Sequence, residues 1–526
     1  MSTSRNSPPR VTALAAMMTV LLLALPSGAA LAALEDTARE AMAEDRALAE
    51  LERLHSLPET LEYAPPAPWY AEELQEEGYG YEFEQPDTNT LVMSNPAPMA
   101  ETGTRKFASL AIEFTDVKHG GSSTIPALQS KLTGSNSMRS YYEEVSYGNL
   151  TIDGTAYGWY EADNDMAYYG RPEGGGRDSR NFYQLVAEAV RAADPYVDFS
   201  DYDTDRDRII DGICLVHAGR DEATGGSSDN IWSKQSVYPG TLRVDGVYLG
   251  YYFTVSESSP VGVYVHEFGH MLGLPDLYDT DYSSTGVGVW DVMGSGAWGN
   301  WGRTPTHMSA WSKLTLGWVD PTVVSNYVEG YRLNYMEGVS PDIIKLPTEK
   351  SNEYFLLENR YQSGYDRYMP GSGILIWHID TDVINQWLHY NRINNNEDRK
   401  GVDLEEGSGT QDLDEWTSND GDSSDPWRND MLGFTPTSTP NSNHYDGTPT
   451  NIKVFNISSA GTVMTLDIDF GGDSFKIVMD TISSLREAAP GQQVLYNVSV
   501  GTRSATGETI SLSLTGTHAS WGTLTT

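Results

Sequence analysis

The run His266-Glu267-Phe268-Gly269-His270-Met271-Leu272-Gly273-Leu274-Pro275-Asp276 decides how the rest of the chain is read. Apolar residues recur at helical spacing from Val261 to Leu274. Gly273 followed by Pro275 is a helix ending, because the glycine turns the chain and the proline cannot continue it. On such a helix His266 and His270 stand one turn apart on one face, close enough to share one zinc ion, and Glu267 projects beside the metal. A catalytic zinc takes three protein ligands and keeps a fourth position open for water. Asp276 is the expected third ligand, since Gly273 lets the chain turn sharply and a carboxylate six residues past His270 swings back. Asp279 and Asp281 are the fallbacks. The chemistry that suits this spacing is peptide hydrolysis without a covalent intermediate, with the metal as Lewis acid and Glu267 as general base.

Downstream, Trp290-Asp291-Val292-Met293-Gly294, followed by Ser295-Gly296, resembles the methionine turn that lies beneath the zinc in metzincin-type proteases. Upstream, Asp203, Asp205, Asp207 and Asp211 alternate along a loop, the arrangement that a hard, oxygen-seeking cation such as calcium needs. Arg208 stands there in place of the usual central glycine, and the closing bidentate Glu is missing. A second acidic loop, Asp420-Gly421-Asp422 with Asp425, follows the same logic with less force. His307 and His378 read as packing histidines, and Cys214 in Ile213-Cys214-Leu215-Val216 reads as a buried, inert thiol rather than a nucleophile. As the single cysteine of the chain it leaves stability to packing and bound ions.

At roughly 100 to 200 residues per domain, 526 residues divide into several domains. Arg5 and Arg10 precede an apolar run from Val11 to Leu25, and Ala30-Leu31-Ala32 offers small residues for cleavage, so residues 1–32 read as a signal peptide and the protein as secreted and extracellular. Residues 33–104 read as a poorly packed propeptide that blocks the site until removed: up to Ala100 they hold sixteen Asp and Glu against three Arg. A mixed α/β catalytic domain is expected over 105–320. Its strands are expected at Lys106–Thr115, Leu150–Tyr160 and Ile209–His217, and its helices at Ser137–Tyr147 and Arg180–Ala193. Residues 321–470 read as all-β, with a long loop from Asn394 to Asn429 that is either ion-ordered or mobile, and 471–526 as a partial β-sandwich. The net charge of −40 argues against nucleic acid and anionic membrane as partners. No second long apolar run follows the first, so no stable membrane insertion is expected, and a monomer is expected.

These residues together resemble the immune inhibitor A family of secreted bacterial zinc proteases. The resemblance runs from about Lys106 to Phe470 and rests on YYEEVSYGN (Tyr141–Asn149), YDTDRDRIIDGICLVHAG (Tyr202–Gly219), HEFGHMLGLPDLYD (His266–Asp279), WDVMGSGAW (Trp290–Trp298) and GILIWHID (Gly373–Asp380). It implies an α/β (α+β) zincin catalytic domain with an active-site helix and methionine turn, an N-terminal propeptide, structural calcium and β-rich C-terminal modules. Carried over by position, it implies His266, His270 and Asp276 as zinc ligands, Glu267 as the catalytic residue and Met293 as the turn methionine. Arg206 and Arg208, where glycines are common, depart from the family's calcium loop. Two other readings stay open: a non-catalytic calcium-binding or adhesion protein, which leaves Glu267 unexplained, and a zinc hydrolase of small esters or amides.

Overall fold

The computed structural model describes residues 28–56, 62–63, 65, 67, 101–171, 181–416, 419–471, 475–479 and 498–502. Most of the expected signal peptide, the later part of the expected propeptide and most of the expected partial β-sandwich lie outside the described residues. Helix α1, Gly28–Ser56, runs through the expected cleavage positions.

The apolar run after Lys106 forms β2, Gly103–Glu113, one strand in from the edge of a six-stranded sheet. It pairs in parallel with β3, Leu150–Glu161, on one side and with β4, Ile213–His217, on the other. Next to β4 lies β6, Tyr251–Ser256, also parallel, and then β5, Lys234–Val237, which runs antiparallel. The leader supplies the sixth strand, β1, Glu62–Tyr63, with Tyr63 opposite Lys234 and Glu62 opposite Gln235. Alternation along β2 and β4 fills two cores, as period-two strands covered on both faces must. Phe107, Ala111, Cys214 and Val216 face α2, Ile125–Thr133, α3, Met138–Val145, and the motif helix. Leu110, Ile112, Ile213 and Leu215 face α4, Phe182–Ala193. Local chemistry sets the helix starts: Thr124 caps α2 ahead of Pro126, and Ser137 and Ser140 form a reciprocal capping box on α3.

Strands β5 and β6 were not expected from the sequence; for β5 the reason is that the polar Lys234-Gln235-Ser236 reads as loop until a neighbouring strand pairs with it. The leader also packs better than its composition predicts. Ala47, Leu51 and Leu54 share one face of α1 and bury against Ile209 and Tyr248, while the charges lie on the rest of the helix.

Residues 321–470 form two sheets. One has the order β12-β11-β10-β9-β7, from Val402–Leu404, Gly373–Asp380, Glu353–Arg360, Ile343–Pro347 and Thr322–Val323. The other has the order β8-β14-β13, from Val328–Asn334, Val463–Asp469 and Lys453–Phe455. A short helix, Thr381–Trp387, departs from the all-β expectation. Phe355, Leu357, Ile374 and Ile376 pack with the second sheet, whereas Leu356, Leu375, Trp377 and Ile379 join the core that holds the motif helix. The two regions are further joined by Arg360. Its fully buried guanidinium binds Asp366 at 2.6 and 2.8 Å and donates to the carbonyls of Trp290 and His307. Phe475–Met479 and Val498–Thr502 pair antiparallel.

His378, on β11, is buried with Nε2 at 3.2 Å from Glu353 and Nδ1 at 3.2 Å from Glu405. Burial opposes its charge, but those hydrogen bonds and the charges of Glu405 and Asp403 prevail and push it up to about 9. A histidine whose folded value exceeds its unfolded value near 6.5 stabilises fully below that pH and loses its contribution as pH rises through the folded value. Urea unfolding is expected to show a loss on the order of 3 kcal/mol between pH 6 and 10, a step absent from His378→Gln.

Candidate metal centre

Helix α5, Val261–Met271, carries the motif and is buried from Val261 to His270. It continues from β6 and packs on Phe107, Phe253 and Tyr142, whose hydroxyl donates to the Val265 carbonyl at 2.7 Å. After Met271 the chain reverses at Gly273, where φ is +91° and a side chain would be strained. The reversal brings the Leu274 carbonyl to 2.8 Å from His270 Nδ1 and lays Asp276 under the helix face.

His266 Nδ1 lies 2.9 Å from the Val292 carbonyl. A carbonyl only accepts, so in both rings the proton sits on Nδ1, and each Nε2 presents a lone pair. Those two Nε2 atoms are 3.0 Å apart. Asp276 Oδ1 lies 3.0 Å from His266 Nε2 and 3.3 Å from His270 Nε2, and it accepts no hydrogen bond. Three buried electron-pair donors therefore converge with no proton among them, an arrangement that a cation relieves. Zinc bonds of roughly 2.0–2.1 Å set tetrahedral ligands about 3.3 Å apart, which fits these separations. Glu267 is fully buried on the same turn.

The segment Trp290–Gly294 underlies this centre. A Cβ at Gly269, between the two histidines, would lie 2.5 Å from Met293 Sδ, so the helix can approach the methionine only as glycine. Asp291 fixes the segment by accepting from Met293 N, Ser309 N and Ser312 Oγ, each at 2.7 Å. Leu277 N donates to the Met293 carbonyl, tying the turn to the Asp276 loop. The fallback ligands are spent elsewhere: Asp279 accepts from Ser283 and Ser284, and its other oxygen accepts from Asp281 N.

Of the four aspartates in the upstream loop, Asp203, Asp205 and Asp211 come together, with carboxylate oxygens within 4.8 Å of one another. Asp203 Oδ1 is buried and accepts no hydrogen bond. Asp207 turns instead to the Ile209 amide at 2.7 Å, and burial, then Asp205 and Asp203, push it up to about 6. Arg206 and Arg208 both adopt φ near +65 to +71°, the left-handed conformation that glycine takes without cost. In the second acidic loop, Asp425 accepts from Trp290 Nε1 at 3.0 Å and from Asp422 N at 2.9 Å.

His307 is engaged with Glu144 at 3.0 Å and Lys313 at 2.9 Å. Cys214 is buried, and burial pushes its thiol up to about 12. The sequence reading missed Asn391, which hydrogen-bonds Asp276, and the leader's hold on the sheet edge. For Asn391 the signal was the run Asn391-Arg392-Ile393-Asn394-Asn395-Asn396, too polar for an ordinary buried segment.

Residues 124–319 match the family described as immune inhibitor A peptidase M6, catalytic domain. Over 214 residues the chain is 37% identical to pre-pro-metalloprotease PrtV of Vibrio cholerae serotype O1, covering 34% of this chain and 23% of that protein. Over 211 residues it is 35% identical to immune inhibitor A of Bacillus thuringiensis subsp. alesti, covering 33% of this chain and 31% of that protein. The match thus spans less than a third of either relative. Residues 124–319 are accordingly similar to the catalytic domain of the immune inhibitor A peptidases and to a part of two metalloprotease relatives.

Metal analysis after dialysis is expected to find about one zinc per chain in the wild type and almost none in His266→Ala or His270→Ala, with far-UV circular dichroism unchanged. A full equivalent in both variants would place the metal elsewhere.

Proposed function

We propose that this chain is a secreted zinc metalloendopeptidase, made as a precursor, that hydrolyses peptide bonds of extracellular proteins. The observation that carries the reading is the convergence of His266 Nε2, His270 Nε2 and Asp276 Oδ1 in a buried site on a peptidase M6 domain. His266, His270 and Asp276 hold the ion, and the Val292 and Leu274 carbonyls keep each imidazole in the tautomer that binds metal. Zinc supplies Lewis-acid polarisation and lowers the pKa of water. Glu267, next to His266 on the helix, takes the proton from the attacking water and delivers it to the leaving amine. Met293 serves as the turn methionine, packing beneath the ligand-bearing turn of the helix.

Residues 1–32 act as signal peptide and 33–104 as propeptide, with the protease region at 105–320, the β-rich part at 321–470 and a further module from 471. Latency by the leader is supported by its position. Glu62–Tyr63 fills the edge of β5, where an extended peptide adds a strand, and the Pro65 carbonyl accepts from Trp298 Nε1 at 3.1 Å. Asp203, Asp205 and Asp211 hold a structural calcium, which the left-handed Arg206 and Arg208 make weaker than a glycine-bearing loop would. Among the described residues no helix is long and apolar enough to cross a membrane.

The deciding experiment is casein hydrolysis by the processed protein beside Glu267→Ala, with zinc measured in both. Wild-type cleavage, reduced by a factor on the order of 10³ or more in a variant that keeps its zinc, is expected. Zinc-loaded wild type that cleaves no protein once its leader is removed would sink the endopeptidase reading.

A further inference from the structure

We infer that Asn391, from the region beyond the peptidase M6 match, is a positioning residue for the metal centre, holding Asp276 in its ligating pose through a two-point amide clamp. The inference rests on Asp276 being a zinc ligand. Asn391 Oδ1 accepts from the Asp276 backbone amide at 2.7 Å, and Asn391 Nδ2 donates to Asp276 Oδ2 at 2.5 Å. The clamp engages the carboxylate oxygen that does not face the imidazoles, leaving Oδ1 directed at His266 and His270. Both residues are buried, so water cannot substitute for the amide.

The backbone at Asn391 is shaped for this contact. It adopts φ 53°, ψ 44° after the turn Leu388–Tyr390, a left-handed conformation that asparagine tolerates better than other side-chain-bearing residues. Its carbonyl accepts from Thr280 Oγ1. Neighbouring asparagines extend the grip. Asn394 Nδ2 donates to the Leu277 carbonyl at 2.9 Å while its Oδ1 accepts from Val402 N, and Asn395 binds Thr280 and Asp281. The loop that carries the third ligand, 276–281, is thus fastened to β12 of the five-stranded sheet, a support that residues 124–319 do not contain. Oriented hydrogen bonds to a ligating carboxylate fix its direction before the metal arrives, and their loss typically weakens metal binding by about 10- to 100-fold.

The test uses the full chain, apo, titrated with zinc against a competing chelator, and the cobalt(II) form for its visible spectrum. Asn391→Gly keeps the left-handed backbone and removes the amide. Asn391→Asp keeps the acceptor and replaces the donor with an anion, and it serves where the glycine variant fails to fold. Both are expected to bind zinc about 10- to 100-fold more weakly and to shift the cobalt bands. Asn396→Ala, in the same run but with its side chain on the Asp398 amide rather than on the 276–281 loop, is expected to match wild type. Zinc affinity in Asn391→Gly and Asn391→Asp within about threefold of wild type, with unchanged cobalt spectra, overturns the inference while leaving the zinc reading intact. Wild type that holds no zinc overturns both.

Discussion

Two imidazole lone pairs and a carboxylate oxygen, buried within 3.3 Å of one another, repel unless a cation lies among them. Much of the surrounding architecture exists to keep that unfavourable grouping assembled. Each ring is turned by a backbone carbonyl on its far nitrogen, one from the segment beneath the helix and one from the helix's own exit. Those carbonyls are themselves fixed, the first by the Asp291 hydrogen bonds and the second by the left-handed Gly273. Preorganisation of this kind places the cost of bringing like groups together on folding, so that binding an ion recovers it.

The sheet supplies the floor. Helix α5 rests on strands whose side chains alternate between two cores, and the five-stranded sheet presses Leu356, Leu375 and Trp377 into the same core from beyond residue 320. Arg360 completes the junction by holding Trp290 and His307 carbonyls while paired with Asp366. A buried guanidinium with all its neighbours charged or hydrogen-bonded is tolerable only while every partner stays in place. The protease region and the β-rich region are therefore coupled through their packing as well as by their connection in the chain.

What was legible in the sequence was local. Helical spacing gave the two histidines, and Gly273 with Pro275 gave the turn that returns Asp276. Period-two apolar runs gave the central strands. What was hidden depends on distant partners. Asn391 lies 115 positions from Asp276, and nothing in either local pattern names the other. Lys234–Val237 is polar enough to pass for loop because its order comes from strands on both sides. The alternating aspartates suggested four ligands, yet Asp207 capped the turn at Ile209, since a carboxylate two residues before a free amide finds that amide first. The acid-rich leader concealed the stripe of Ala47, Leu51 and Leu54 because composition averages over a helix whose faces differ.

The leader's strand meets β5 through peptide groups, and a ladder of that kind ignores the identity of the side chains that flank it. Any residue except proline at a donating position satisfies the same bonds. The pairing by itself places no demand on which side chains stand at positions 62 and 63. Ala67 is different, being buried in the core with its amide on the Ala223 carbonyl, and a larger side chain there has no room. The strand is thus held by its peptide groups and the anchor beyond it by packing, two kinds of hold on one short segment.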